Sequence, residues 1–169
     1  MESPMRIRQV KLLDLGEIVR IEQANFLGEE ATSPEKLKEQ IEKIPNTFLI
    51  ADLNGEIAGY IIGSAVSSHH QSADRLVKGM RNLDKSNFIF LQRLSINPDF
   101  KGQGVGTLLL AAMKEVVVDL QNQGIYLACK DHLLSYFVMN SFSDSGIFET
   151  TYGDEPHIEM IWENPYFKE

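Results

Sequence analysis

The sequence predicts a mixed α/β fold: a largely antiparallel, twisted sheet with helices on both faces. Three observations predict it. Two apolar strand runs, Thr47–Leu53 and Glu56–Val66, are joined by Asn54-Gly55, the strongest short hairpin signal. A strand run at Phe88–Ile96, a helical pattern at Thr107–Leu120 and a short strand at Ile125–Cys129 form a strand-helix-strand unit. Such a unit requires a parallel pair with a right-handed crossover. Two last runs, Ser141–Thr151 and His157–Glu163, close the chain as a strand pair.

In chain order, Met5–Val10 reads as a short strand. Leu12–Phe26 reads as a helix, with Leu12, Leu15, Val19 and Phe26 at helical spacing beside Ile18 and Ile21. Ser33-Pro34 opens a second helix running to about Lys43, with Ser as N-cap and Pro at the first helical position. The hairpin follows. Ser67–Asn87 is a polar excursion that contains His69 and His70; a loop of that length inside a domain is usually functional or mobile. Asn97-Pro98-Asp99 ends the next strand. Val105, Leu108, Leu109, Ala112, Val116 and Leu120 then form one helical apolar stripe, and Gly124 stops it. His132–Asn140 reads as a last helix.

The chain of 169 residues is about one domain's worth, taken as residues 1–169. A hydrophobic fraction of 43% and a charged fraction of 24% exclude disordered, collagenous and coiled-coil classes. The net charge of −8 argues against nucleic acid as a partner and mildly favours cationic partners such as amines. Cys129 is the one cysteine, so no internal disulfide forms, and on a buried apolar strand it reads as a small hydrophobe. The start of the sequence lacks the apolar core of a signal peptide, and no apolar run approaches the roughly 20 residues of a membrane helix. The expectation is a soluble cytoplasmic protein with no membrane partner. The four histidines show no metal-ligand spacing, so no metal is expected.

The strongest chemical signal is the segment Leu94-Ser95-Ile96-Asn97-Pro98-Asp99-Phe100-Lys101-Gly102-Gln103-Gly104-Val105-Gly106-Thr107. A strand ends, a glycine-rich loop follows and an amphipathic helix begins. Glycines let an anion approach the backbone, and the first N–H groups of the helix lack internal partners and point at it. The helix dipole adds partial positive charge, and Lys101 can add a full one. A P-loop would need a Lys after the last glycine, and a dinucleotide fingerprint would need Gly-x-Gly-x-x-Gly in a parallel sheet. Neither pattern is present here. A purely structural turn is the remaining alternative.

Lys101 to Gly106 resembles the cofactor motif of the GNAT superfamily of N-acetyltransferases, Gln/Arg-x-x-Gly-x-Gly/Ala, with Lys101 at the Gln or Arg position. The stretch Cys129-Lys130-Asp131-His132-Leu133-Leu134-Ser135-Tyr136-Phe137-Val138-Met139-Asn140-Ser141-Phe142 is similar to one in arylalkylamine N-acetyltransferases. So are Ile21–Phe26, Gly59–Ser64 and the long excursion. The resemblance covers roughly residues 5–163.

It implies the acyl-CoA N-acyltransferase fold and acetyl-CoA as co-substrate. The acetyl group would pass by direct attack to a primary amine of a small molecule, arylalkylamine-like or polyamine-like. It further implies that Lys101, Gly102, Gln103, Gly104, Val105, Gly106 and Thr107 hold the pyrophosphate. Leu94, Ser95 and Ile96 would bind the pantetheine arm and acetyl group. A homodimer through the last strands follows by the same analogy.

The subgroup's two basic histidines fall at Phe90 and Gln92, and its acidic Tyr falls at Phe137. Tyr136, one residue away, is the candidate acid, and Glu22 on the first helix the candidate for binding or deprotonating the amine. His69 and His70, His132, His157 and a water relay past Gln92 are further candidates for the base. Phe26, Leu76, Val77 and Met80 are candidates to line the acceptor pocket. The alternative reading is a non-catalytic acyl-CoA-binding module on the same fold, motivated by Phe90 and Phe137.

Overall fold

The computed structural model describes residues 5–66, 88–144, 150–152 and 155–168. The elements are β1 (Arg6–Gln9), α1 (Leu15–Asn25), α2 (Pro34–Lys43), β2 (Phe48–Leu53), β3 (Glu56–Val66), β4 (Phe88–Ile96), α3 (Val105–Leu120), β5 (Gly124–Cys129), α4 (Leu134–Met139), β6 (Ser143–Asp144), β7 (Thr150–Tyr152) and β8 (Glu155–Glu163). They divide into two compact units, residues 1–63 with 93–113 and residues 64–92 with 114–169. The chain of β3, β4 and α3 runs through both.

In the first unit the strands lie in the order β1-β2-β3-β4. β1 pairs antiparallel with β2, Arg6 opposite Asp52, and β2 pairs antiparallel with β3, Phe48 opposite Ile62. The hairpin turn places Asn54 at φ 53° and Gly55 at φ 90°, the left-handed pair that the Asn-Gly dipeptide favours. The Ser33 Oγ caps α2 by accepting from the Lys36 N–H at 3.1 Å, and Pro34 opens the helix as expected.

Ile18, Ile21, Leu37 and Ile41 of the two helices bury against Phe48, Ile50, Tyr60 and Ile62. Strand side chains alternate between faces, so Gly59 faces the opposite way from Tyr60. A Cβ on Gly59 would lie 3.2 Å from Val105 Cγ1 of α3. Helices therefore cover both faces of this sheet.

In the second unit β4 pairs parallel with β5, Phe88 opposite Gly124 and Phe90 opposite Tyr126. β8 lies antiparallel on β5 from Gly124↔Glu163 to Cys129↔Ile158, with β6 beyond it and β7 pairing Thr150 with His157. Val66, Phe88, Phe90 and Tyr126 form a second buried cluster, joined by Ile161.

Several boundaries differ from the sequence reading. The first helix opens with a 3-10 turn over Leu12–Asp14, and α4 is preceded by another over Asp131–Leu133. The run read as one strand from Ser141 to Thr151 contributes two short strands, β6 and β7. On α3 the buried positions are Val105, Leu109, Leu110, Met113 and Val117, while Leu108 is 39% exposed. The helix is apolar almost all round, so spacing leaves its rotation open and packing decides it. Gly124 starts β5 rather than ending a helix; a Cβ there would lie 2.2 Å from the Trp162 carbonyl of β8. Ser67–Asn87, with His69, His70, Leu76, Val77 and Met80, lies outside the described residues.

Candidate functional site

The glycine-rich loop occupies the first unit, between β4 and α3. Gly102 and Gly104 have φ of 79° and 78°, the left-handed region that costs other residues about 1–2 kcal/mol. A turn that brings successive backbone N–H groups to one side makes an anion-binding concavity. The first helical bond is donated by the Leu108 N–H to the Gly104 carbonyl at 3.1 Å. The N–H groups of Val105, Gly106 and Thr107 precede it and have no intrahelical acceptor. Lys101, Gly102, Gln103 and Gly104 are exposed, and no atom beyond the chain neighbours lies within 4 Å of a Cβ built on either loop glycine. The residues present fit a pyrophosphate.

The strand leading into this loop is held from both sides. The Asn97 N–H donates to the Ala58 carbonyl at 2.8 Å, and the Asn97 Nδ2 to the Ile57 carbonyl at 2.9 Å. Odd positions near the end of β4 thus direct their backbone groups at β3. By the alternation of an antiparallel ladder, Leu94 and Ile96 direct theirs to the other edge. The Asn25 Nδ2, at the end of α1, donates to the Ile96 carbonyl at 2.7 Å and to the Ser95 Oγ at 2.8 Å. This directs the N–H and C=O of Leu94 and the N–H of Ile96 to the edge away from β3, the donor and acceptor pattern that an amide-bearing arm can match.

Glu22 is fully buried on α1. Its Oε1 accepts from the Tyr60 hydroxyl at 2.5 Å, and its Oε2 from the Thr32 N–H at 2.8 Å and the Arg93 Nη2 at 2.6 Å. The Arg93 Nη2 also donates to the Glu30 carbonyl at 2.8 Å, and the guanidinium stacks on the Phe26 ring at 3.7 Å. Burial, and then the hydrogen bond to Glu22, push the Tyr60 hydroxyl far above its ordinary value. The carboxylate ties α1, the segment after it, β3 and β4 into one frame. Both its oxygens are engaged, and none of its surface is open to an incoming amine. Phe26 is the underside of the Arg93 stack.

The remaining candidates lie in the second unit. Tyr136 is half-buried on α4, edge-to-face with Phe137 at 5.3 Å. Phe137 is buried against Phe142, ring centroids 5.8 Å apart. Phe90 packs on Tyr126 at 5.3 Å, and the Gln92 Nε2 donates to the Ser64 Oγ at 2.7 Å. Burial, with the charge of Asp131, raises the Cys129 thiol, which suits a packed side chain rather than a nucleophile. His132 is exposed on its 3-10 turn, and His157 is half-buried on β8. Among the described residues no group of His, Cys, Asp or Glu could hold a metal ion, and no helix is long and apolar enough to cross a membrane.

Sequence reasoning missed Asn25, Tyr60 and Arg93, although Asn25 and Tyr60 lie inside segments it singled out. Their roles depend on which strands α1 packs against.

The model of the acetyltransferase (GNAT) family matches residues 15–135. A comparison with curated proteins finds no match. Among solved structures, the loading GNATL domain of CurA from Lyngbya majuscula aligns with a TM-score of 0.81 at 14% identity, covering 96% of this chain and 98% of that one. The PaiA N-acetyltransferase from Thermoplasma acidophilum, in complex with coenzyme A, aligns at 0.67 and 18%, covering 95% and 99%. YncA from Salmonella typhimurium, a putative acetyltransferase solved with acetyl-CoA, aligns at 0.68 and 13%, covering 96% and 95%. At these identities the likeness is one of fold.

Proposed function

The chain belongs to the acetyltransferase (GNAT) family, and from that premise we propose that it transfers the acetyl group of acetyl-CoA to a primary amine of a small molecule, arylalkylamine-like or polyamine-like. One observation carries the reading. The amides around Gly102 and Gly104, both at positive φ, lie on an exposed loop at the start of α3, next to the edge of β4 at Leu94 that is turned away from β3. That combination suits a pyrophosphate followed by an amide chain.

In this reading Lys101 to Thr107 bind the pyrophosphate and Leu94 to Ile96 align the arm. Acetyl-CoA supplies an activated thioester. Holding the amine against the thioester carbonyl accounts for much of the rate, and a backbone N–H at the end of β4 can stabilise the oxyanion. Tyr136 is assigned as the acid that returns a proton to the departing thiolate. Glu22 is assigned as a positioning residue, because its carboxylate is sealed among Tyr60, Thr32 and Arg93.

Two measurements test this. Thermal unfolding is compared with acetyl-CoA, CoA and NAD. A ligand at about 100 times its Kd stabilises by about 2.7 kcal/mol, a rise of roughly 5–10 °C for a chain of this size. A rise with both CoA species and none with NAD is expected; no rise at millimolar acetyl-CoA overturns the donor site. Mass spectrometry of phenethylamine and spermidine incubated with acetyl-CoA and protein then tests the acceptor. An N-acetyl product is expected, and its absence with both sinks these acceptor classes.

Buried Phe90 and Phe137 favour a second reading, a non-catalytic acyl-CoA-binding module. It predicts that bound acetyl-CoA stays intact in the presence of amines.

A further inference from the structure

Arg93 uses its guanidinium unevenly. Nη2 alone makes the hydrogen bonds of the side chain, to Glu22 Oε2 at 2.6 Å, to the Glu30 carbonyl at 2.8 Å and to Thr32 Oγ1 at 3.2 Å. Nε is buried with no partner among the described residues. Nη1 has none there either, and it is the nitrogen that reaches the surface of a side chain 21% exposed. A guanidinium placed only to neutralise a carboxylate pairs through two N–H groups. Arg93 meets Glu22 through one nitrogen and holds two back. A buried N–H without an acceptor needs an explanation.

Its place supplies one, and every residue concerned lies in the first unit. Arg93 directly precedes Leu94, whose backbone groups face the edge of β4 away from β3. Side chains alternate along a strand, so Arg93 shares a face with Ser95. On that face the Asn25 Nδ2 of α1 reaches the Ser95 Oγ at 2.8 Å. An arm that follows the backbone edge leaves this face free. The face is also within reach of solvent. Phe26, whose ring centroid lies 3.7 Å from the Arg93 Cζ, is part-exposed, as are Thr32 and Leu94, and Leu27 is 80% exposed. The stack and the three Nη2 contacts hold the guanidinium still, so a ligand gains its hydrogen bond without first ordering the donor.

The charge around Nη1 selects what it takes. Glu22 is fully buried and cancels the Arg93 charge. Glu29 and Glu30 are exposed on the turn that Arg93 holds. A carboxylate arriving at Nη1 would meet these acids, and like charges brought together cost affinity. A neutral oxygen meets no such repulsion, and an ammonium beside it gains from the same acids.

We propose that Arg93 selects the acceptor: its Nη1 donates to a neutral carbonyl or hydroxyl oxygen carried a few bonds from the reacting amine. The proposal rests on the acetyl-transfer reading above and narrows its acceptor to amines that bear such an oxygen, as an amino-acid amide does. Arg93 binds that oxygen and takes no proton from the amine.

The test uses phenylalaninamide, phenethylamine and phenylalanine, which share one ring and carry an amide, nothing or a carboxylate beside the amine. Their amines differ in basicity, so wild type is compared with Arg93→Lys on each substrate. Arg93→Lys keeps a cation for Glu22 and loses the planar fork. Its loss in kcat/KM should be about tenfold or more greater with phenylalaninamide than with phenethylamine, mainly through KM, while acetyl-CoA still raises its Tm. Equal losses on these two overturn the proposal, and so does a larger loss on phenylalanine, the result expected of a carboxylate reader. Where the wild type acetylates none of the three, the acetyl-transfer reading fails separately. NMR of 15N-arginine-labelled wild type, saturated with CoA, then decides the Arg93 assignment, and it does so too where Arg93→Lys does not fold. The Arg93 Nε–H signal should move with phenylalaninamide and stay in place with phenethylamine. A signal that stays in place with both overturns the proposal.

Discussion

At the scale of single residues, two buried carboxyl groups, one in each unit, stand in contrast. Glu22 is saturated with donors, whereas Glu159 has an oxygen with none among the described residues. Removing one partner of a buried ion pair typically costs about 3–5 kcal/mol, because the other charge is left uncompensated. Glu22→Leu should therefore lower the Tm markedly. The double variant Glu22→Leu/Arg93→Met should recover most of that loss, as a double-mutant cycle by thermal unfolding will show; additive losses would disprove the coupling. The loop glycines behave differently. Gly104→Val places a β-branched residue at φ 78° on an exposed loop. It should cost stability by about 1–2 kcal/mol but abolish the acetyl-CoA thermal shift, since the new side chain occupies the space above the amides. A retained shift would show that the anion binds elsewhere.

At the scale of elements, β4 depends on how closely β3 approaches it. A Cβ on Gly59 would lie 2.8 Å from the Ser95 carbonyl and 3.2 Å from the Ile96 Cδ1. Gly59→Ala must displace β4 where it presents Leu94, so both stability and acetyl-CoA affinity should fall, the former by about 1–3 kcal/mol. Ser33→Ala is the control: loss of the α2 cap costs about 1 kcal/mol, and calorimetric titration should find acetyl-CoA affinity unchanged. The contrast follows what a sequence encodes locally. The α2 start at Ser33-Pro34, the Asn54-Gly55 hairpin and the loop of Lys101 to Gly106 each depend on a few adjacent residues, so they were legible. The rotation of α3, the sealing of Glu22 by Tyr60 and Arg93, and the burial of Glu159 opposite Ala128 depend on residues 31 to 71 positions apart. No periodicity encodes those pairings.

At the scale of the whole molecule, the titrating carboxyls give stability a defined pH dependence. The Arg8 Nε donates to Asp52 at 2.9 Å, and its two Nη groups grip Asp14 at 2.9 Å each. The hydrogen bond to Arg8 holds Asp52 below the usual carboxylate value. Burial alone would raise Asp14, but the Arg8 hydrogen bond and the Lys11 N–H reverse it. Carboxyls with a lowered folded value stabilise above their unfolded pKa, and this stability is lost as pH falls through the folded value. Arg8→Met should therefore flatten the acid limb of a Tm-against-pH curve. Glu159 acts in the other direction. Its folded value of about 7 lies above the ordinary 4.5, so between those values the folded state binds more protons than the unfolded one, and stability falls as pH rises. Glu159→Gln removes that slope. Its Tm relative to wild type should climb from pH 5 to pH 8, with each kcal/mol worth roughly 2–4 °C at this size. A difference that stays flat over that range would mean that Glu159 keeps an ordinary acidity in the folded protein, and that burial does not hold its proton.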